Sequence, residues 1–116
     1  MDNMNILLNF LVTLTPLTWK PTLSPERFEL EIDNKFVEVS RWQYDPPEDY
    51  PFYVYELNVR NSKGWVVDEC SSMNDEEYSE KLASIYIEAR KIALKSEEVI
   101  GEICKTLEKE PPLLLK

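Results

Sequence analysis

The chain has 116 residues, of which 43% are hydrophobic and 30% are charged, and its formal net charge at pH 7 is −9. This length and composition indicate one soluble domain over residues 1–116, and they exclude an intrinsically disordered chain. The negative charge argues against direct binding of nucleic acid, because that affinity comes mainly from Lys and Arg side chains that neutralise phosphates.

The N-terminal residues predict a helix, because their apolar side chains fall on one helical face: Met4, Leu7, Leu8, Leu11 and Leu14. Asp2 or Asn3 can cap its free backbone N–H groups. A short strand over residues 6–12 is the alternative, since a short apolar run fits both structures. The run is too short to span a bilayer and no basic segment precedes it. We therefore expect neither a transmembrane helix nor a secretory signal.

Residues 15–26 predict an extended connection rather than a helix or a central strand. Proline disfavours both structures, and it recurs here at Pro16, Pro21 and Pro25. The segment also contains apolar side chains that we expect to hold it against the edge of the core, namely Leu17, Trp19 and Leu23.

A hairpin follows this connection. Residues 28–32 predict its first strand, because apolar side chains alternate there with glutamates. Residues 33–35 supply the turn, and residues 36–44 form the return strand.

Two further strands are predicted after a proline-rich loop over residues 45–51. Residues 52–60 form the third strand, with one face made by Tyr53, Tyr55, Leu57 and Val59. A turn over residues 61–64, in which Gly64 can adopt the left-handed conformation, leads to the fourth strand over residues 65–71. Because the connections are short, the four strands should pair in order as an antiparallel meander.

Residues 74–110 predict a long C-terminal helix, because apolar residues recur at spacings of three and four in two adjacent rows. The first row contains Tyr78, Leu82, Ile85, Ala89 and Ile92, and the second contains Tyr86, Ala93, Ile100, Ile103 and Leu107. Asn74 or Asp75 can cap the start of the helix, and Pro111 with Pro112 ends it.

A second helix start signal lies inside this stretch, where Ser96 precedes Glu97 and Glu98. It predicts a kink or break near residues 95–96. A single continuous helix with Ser96 facing solvent is the alternative. In both cases the helix should pack on one face of the sheet. The sequence thus predicts an α+β domain with an N-terminal helix, a four-stranded antiparallel β-meander and a long C-terminal helix.

The leucine-rich first helix, Trp19 before the sheet, the Asn-x-x-Gly turn at residues 61–64 and the helical run that begins Asp75-Glu76-Glu77-Tyr78 together resemble a group of small bacterial proteins of unknown function. The likeness covers most of the chain, although the proline-rich connection and the Pro-Pro-Leu-Leu-Leu tail depart from it. The resemblance implies the fold. No catalytic residue is assigned in that group, so the resemblance implies no activity.

The residues offer little for catalysis. Histidine is absent, which removes the usual general base and the commonest transition-metal ligand. Cysteine occurs only at Cys70 and Cys104, which we expect to be reduced thiols in a cytoplasmic protein. Three acidic clusters each have a structural explanation. Solvation of the loop explains Asp45, Glu48 and Asp49, and an exposed strand end explains Asp68 and Glu69. Compensation of the helix dipole explains Asp75, Glu76 and Glu77. We expect no catalytic residue, no metal and no cofactor.

Two groups of apolar residues are candidates for a partner surface. Trp42, Tyr44 and Tyr50 lie near the proline-rich loop, where aromatic side chains form either a core or an interaction face. The tail over residues 111–116 is the second candidate, because Leu113, Leu114 and Leu115 follow the helix stop. This tail is either free or docks on its own sheet, on a second copy or on a different protein.

These observations predict a non-enzymatic protein that binds another protein, or a second copy of itself, without direct contact to nucleic acid or membrane. Such a protein would be an accessory, adaptor or neutralising partner in a bacterial system. An acidic mimic of nucleic acid that inhibits a basic partner is the alternative, although basic residues interrupt the acids of the long helix at Lys81, Arg90, Lys91 and Lys95. A hydrolase that uses carboxylates and a hard metal such as Mg²⁺ is a third hypothesis.

Overall fold

The fold is that of a computed structural model, which describes residues 2–14 and 16–109 of the chain. The described residues form helices and strands in the order α1 (Asn3–Thr13), β1 (Lys20–Pro21), β2 (Arg27–Ile32), β3 (Lys35–Tyr44), β4 (Phe52–Arg60), β5 (Val66–Ser71), a 3₁₀ turn (Glu76–Tyr78), α2 (Ser79–Ala93) and α3 (Ser96–Lys109). The predicted α+β architecture is confirmed. The N-terminal segment is a helix rather than a strand, and the Asp2 side chain accepts a hydrogen bond from the backbone N–H of Met4 at 3.0 Å.

The sheet has five antiparallel strands in the order β1-β2-β3-β4-β5, one more than predicted. The extra strand is β1, in which Lys20 and Pro21 of the proline-rich connection pair with Glu29 and Phe28. An edge strand tolerates proline because the missing N–H can face away from the sheet. Sequence periodicity could not reveal a strand of two residues, since it needs several residues to register.

The turns follow the chemistry of their residues. Asp33 and Asn34 have φ angles of 51° and 60°, as a two-residue hairpin turn requires, so Lys35 belongs to β3 rather than to the turn. Gly64 has a φ of 85°, which confirms the predicted left-handed conformation. The turn joins β4 to β5, and Arg60 pairs with Val66 across it. The next pair is Val59 with Asp68, so β5 has one extra residue there, which is a β-bulge.

One face of the sheet packs against α1 and α2 and forms the core. The buried cluster contains Met4, Leu8, Leu11, Trp19, Phe28, Leu30, Val37, Val39, Leu57, Cys70, Tyr78, Leu82, Ile85, Tyr86, Ala89 and Ala93. The ring of Tyr86 packs between Phe28 and Tyr55, with centroids 5.6 and 5.5 Å away. Trp19 is buried as predicted. Leu23 is fully exposed, so its predicted burial is wrong. The Thr22 hydroxyl closes a tight turn by donating to the Arg27 carbonyl at 2.8 Å, and Leu23 lies on the outer side of that turn.

The break between α2 and α3 is confirmed. Lys95 has a φ of 53°, and the N–H groups of Leu94 and Lys95 bond to the carbonyls of Arg90 and Ile92. This is how a helix ends with a left-handed residue after its last turn. α3 therefore starts anew at Ser96 as a separate helix.

The apolar row of α3 differs from that of α2 in its burial. No described side chain of α3 is buried, and Val99, Ile100 and Ile103 are 48%, 52% and 55% exposed. The radius of gyration is 17.5 Å, against about 13 Å for a compact domain of this length. The sequence pattern led us to expect these side chains in the core, but the break at Lys95 separates them from the row of α2 that the sheet covers.

Candidate functional site

The second face of the sheet carries no helix in the part of the chain that the structure describes, and we call it the open face. Its side chains alternate with those of the core along β2, β3 and β4. At its centre the Glu38 side chain is only 6% exposed. Its carboxylate lies 3.4 Å from Nε of Arg27 and 3.3 Å from Nη2 of Arg60, and accepts a hydrogen bond from Asn58. The centre of the open face is therefore an ionic network in which Glu38 is held by Arg27, Arg60 and Asn58.

One end of the open face carries an aromatic cluster made of Trp42, Tyr44 and Phe52. The ring centroids of Trp42 and Tyr44 are 6.0 Å apart, and those of Tyr44 and Phe52 are 5.4 Å apart. Trp42 donates from Nε1 to the Glu56 carboxylate at 2.9 Å, which fixes the indole on the sheet surface. Val54 pairs with Trp42, so it lies on the same face of the sheet, and it is fully buried. The open face is thus closed over Val54, while Trp42 and Phe52 stay 39% and 45% exposed.

The structure brings two of the three aromatic residues predicted for a partner surface together, namely Trp42 and Tyr44. Tyr50 lies in the loop before β4 and is 87% exposed. Phe52 was missed, although it completes the cluster. The hairpin register sets Phe52 directly opposite Tyr44, and only a known register could have revealed it. The predicted tail residues Leu113, Leu114 and Leu115 lie outside the described residues.

A second apolar surface runs along α3, and we call it the α3 stripe: Val99, Ile100, Ile103 and Leu107. Spacings of three and four place these residues on one side of the helix. By the same periodicity Glu97 flanks the stripe on one side, Glu102 and Lys109 flank it on the other, and Lys105 lies on the opposite side of the helix. The stripe is thus a largely exposed apolar surface whose border holds two glutamates and one lysine.

The acidic clusters do not assemble into a metal site. Within residues 2–14 and 16–109, no group of three Asp, Glu or Cys side chains could hold a metal ion. A polar cavity of 240 Å³ beside β5 includes Glu56, Glu69 and Asp75 in its wall. Asp75 accepts a hydrogen bond from the N–H of Ser71 at 3.2 Å, so it closes the turn that leads into α2.

Two tyrosine–carboxylate contacts have perturbed pKa values. The Tyr86 hydroxyl and the Arg41 guanidinium lower the pKa of Glu26, while burial and Glu26 raise the pKa of Tyr86 to about 12. The Tyr78 hydroxyl bonds to Asp2, which raises the pKa of Tyr78 to about 12. Both contacts join a helix to another part of the core, and this structural role explains them fully.

The two thiols differ in environment. Cys70 is buried on the core face, and burial together with Asp75 and Asp68 raises its pKa to about 12. Cys104 is exposed on α3 next to the stripe. Both are free, so the fold contains no disulfide between them.

Comparison of the chain with protein-family models, with curated proteins and with solved structures gives no match. The resemblance to small bacterial proteins of unknown function therefore stays a prediction. None of the described helices is both long and apolar enough to cross a membrane.

Proposed function

We propose that this chain is a non-enzymatic protein–protein interaction module that presents α3 to a partner protein. The single observation that carries the proposal is the exposed α3 stripe. In the biological setting that we propose, the module is an accessory, adaptor or neutralising partner in a bacterial cytoplasm.

The apolar side chains of the α3 stripe are only partly buried, so covering them would add hydrophobic stabilisation. Val99, Ile100 and Ile103 are each about half exposed, and completing their burial would contribute about 2–4 kcal/mol. A helix of 14 residues is also marginally stable by itself in water. A partner groove that covers the stripe would bury these side chains and stabilise the helix at the same time. This is the mode by which amphipathic helices bind grooves.

The border of the stripe defines the chemistry of the partner. Glu97 and Glu102 would meet the rim of the groove, and the whole chain has a net charge of −9. A rim of Lys and Arg would therefore steer the encounter and fix its orientation. We propose an apolar groove with a basic rim as the binding site on the partner.

The aromatic cluster of Trp42, Tyr44 and Phe52 is a second contact surface in this proposal. Exposed Trp and Tyr side chains are enriched among residues that dominate binding energy. Tyr50 lies in the neighbouring loop and is a further candidate contact, and Leu113, Leu114 and Leu115 stay candidates from the sequence alone. A second copy of the chain is the other occupant that we consider for the tail.

Neither alternative function gains support from the open face. A nucleic-acid mimic would need a row of exposed carboxylates, but Arg27 and Arg60 lie among the glutamates and hold Glu38. A carboxylate hydrolase would bind Mg²⁺, Mn²⁺ or Ca²⁺. Titration with these ions should leave the thermal midpoint unchanged, and a clear upward shift would favour the hydrolase.

The proposal is tested by affinity capture from the native cell extract with three forms of the full chain. These are the wild type, Ile100→Asp/Ile103→Asp in the stripe, and Lys105→Gln/Lys109→Gln as a control, since both variants make the net charge more negative by the same amount. We expect the wild type and the control to retain one stoichiometric protein that the stripe variant loses at least about tenfold. Equal capture by all three forms, or capture of nothing, would overturn the proposal.

Circular dichroism of each variant checks that the fold persists. Light scattering of the purified chain separates a second copy from a different protein as the partner. Removal of residues 111–116 should leave the fold intact, and a fall to the monomer mass would assign self-association to the tail.

A further inference from the structure

A hollow of 270 Å³ lies where α2 meets α3 and the side of β3, and we call it the elbow pocket. Its apolar wall includes Ile87 on α2 and Leu94 directly after the end of α2, which are 49% and 45% exposed. The pocket lies at the break between the helices, where Lys95 adopts a left-handed conformation and Ser96 begins α3.

The polar side of the elbow pocket is cationic. Arg90 and Lys91 both line it, and neither has a carboxylate within 4.0 Å in the described part of the chain. Arg90 acts on Glu26 only at longer range, where its charge helps to lower the pKa of that carboxyl. Arg90 and Lys91 can therefore each form a contact ion pair with an anion that enters the pocket.

Arg41 contributes to the pocket in a different way. Its Nε donates to Glu26 at 2.7 Å, and its guanidinium lies 4.9 Å from the ring centroid of Tyr86. These contacts hold Arg41 in place as the inner wall of the pocket and use its charge locally. Of the three cations that line the pocket, only Arg90 and Lys91 lack a carboxylate at contact distance among the described residues.

We infer that the elbow pocket binds a small amphiphilic anion, a monomeric carboxylate with an alkyl body. The body would lie on Ile87 and Leu94, and the carboxylate would lie between Arg90 and Lys91. The pocket has room for about nine water-sized groups, which suits a chain of medium length. A net charge of −9 opposes approach to an anionic bilayer, whereas a single soluble anion can enter. None of these residues belongs to the α3 stripe or to the aromatic cluster, so the inference is independent of the proposed function.

The test is calorimetric titration of the full chain with decanoate and with decyltrimethylammonium, which has the same tail and the opposite charge. We expect decanoate to bind at one site and the cation to bind at least about tenfold more weakly. Methyl resonances of Ile87 and Leu94 should shift with decanoate, and those of Val66 should not. Absence of decanoate binding, or equal binding of both amphiphiles, would overturn the inference.

Two variants of equal charge test the site itself. Arg90→Gln/Lys91→Gln should weaken decanoate binding about tenfold. Lys105→Gln/Lys109→Gln lowers the net charge equally but lies at least about 14 Å along α3 from Ser96, so it should bind like the wild type. Leu94→Asn should weaken binding through the apolar wall. If the first variant and the control bind decanoate equally, the inference is wrong.

Discussion

The hydroxyl of Tyr86 on α2 donates a hydrogen bond to the carboxylate of Glu26, which lies 60 residues earlier in the chain. The same carboxylate oxygen accepts from Nε of Arg41 on β3 at 2.7 Å. Glu26 thus ties the second helix to the start of β2 and to the middle of the sheet. This contact fixes the helix that in turn positions the elbow pocket and the origin of α3.

Glu26→Gln should destabilise the fold by about 1 kcal/mol at pH 7, because a neutral amide is a weaker acceptor for Tyr86 and Arg41. The figure is modest since the Glu26 side chain is 41% exposed and water screens the pair. The pKa of Glu26 is lowered from its ordinary value of 4.5, so its contribution is present above pH 4.5 and is lost as the pH falls through the folded value.

Urea unfolding of wild type and Glu26→Gln at pH 7 and at successively lower pH measures this effect. The difference in free energy of unfolding should shrink once the pH falls below 4.5. Tyr86→Phe keeps the ring and removes the hydroxyl. The difference in free energy of unfolding between wild type and this variant should also decrease below pH 4.5. A difference that stays constant down to the lowest pH would contradict the assignment.

Glu38→Gln should cost about 1–3 kcal/mol, because it removes the charge that holds Arg27 and Arg60 on the open face. Glu31→Gln is the matched control, since Glu31 is exposed on the neighbouring strand, and its effect should stay within about 0.5 kcal/mol. Urea unfolding gives both values. Equal losses would mean that Glu38 is solvated rather than enclosed.

Local sequence patterns predicted most of the fold. The strands at Arg27–Ile32 and Phe52–Arg60 follow from alternation, and the break before α3 follows from Ser96 and the two glutamates after it. These signals act over a few residues, so one sequence is enough to read them. The strand β1 was not predicted, because its two residues become a strand only by pairing with Glu29 and Phe28.

The candidate surfaces were less predictable, for a related reason. The apolar row of α3 looks like that of α2 in the sequence, because periodicity shows that a face favours burial and does not show what covers it. The direction of the chain after Lys95 decides that question. Likewise, Trp42 and Tyr44 were identified by composition, while Phe52 joined them through strand register. The elbow pocket depends on the break itself.

Lys95→Gly should stabilise the fold by about 1 kcal/mol. Lys95 has a φ of 53°, a conformation that strains a side chain with a Cβ atom and that glycine adopts freely. Lys95→Ala keeps the Cβ atom and should give no such gain. Thermal unfolding of the three proteins measures the effect. If α2 and α3 were one continuous helix in solution, glycine would instead destabilise it by a similar amount.

Cys104 should react rapidly with a thiol-specific disulfide reagent in the native protein, whereas Cys70 should react only on unfolding. Burial protects Cys70 and raises the pKa of its thiol to about 12, so little reactive thiolate is present at pH 7. Cys104→Ser should therefore abolish the native reaction and Cys70→Ser should leave it unchanged. Fast labelling of Cys70 in the Cys104→Ser variant would contradict the packing of β5.

The same thiol reports on the α3 stripe, because Cys104 lies one helical turn from both Ile100 and Leu107. When a partner covers the stripe, the rate of Cys104 modification should fall at least about tenfold in the wild type and in Lys105→Gln/Lys109→Gln. In Ile100→Asp/Ile103→Asp the rate should stay at that of the free protein. Binding that leaves Cys104 fully reactive would place the partner elsewhere and direct attention to the aromatic cluster around Trp42.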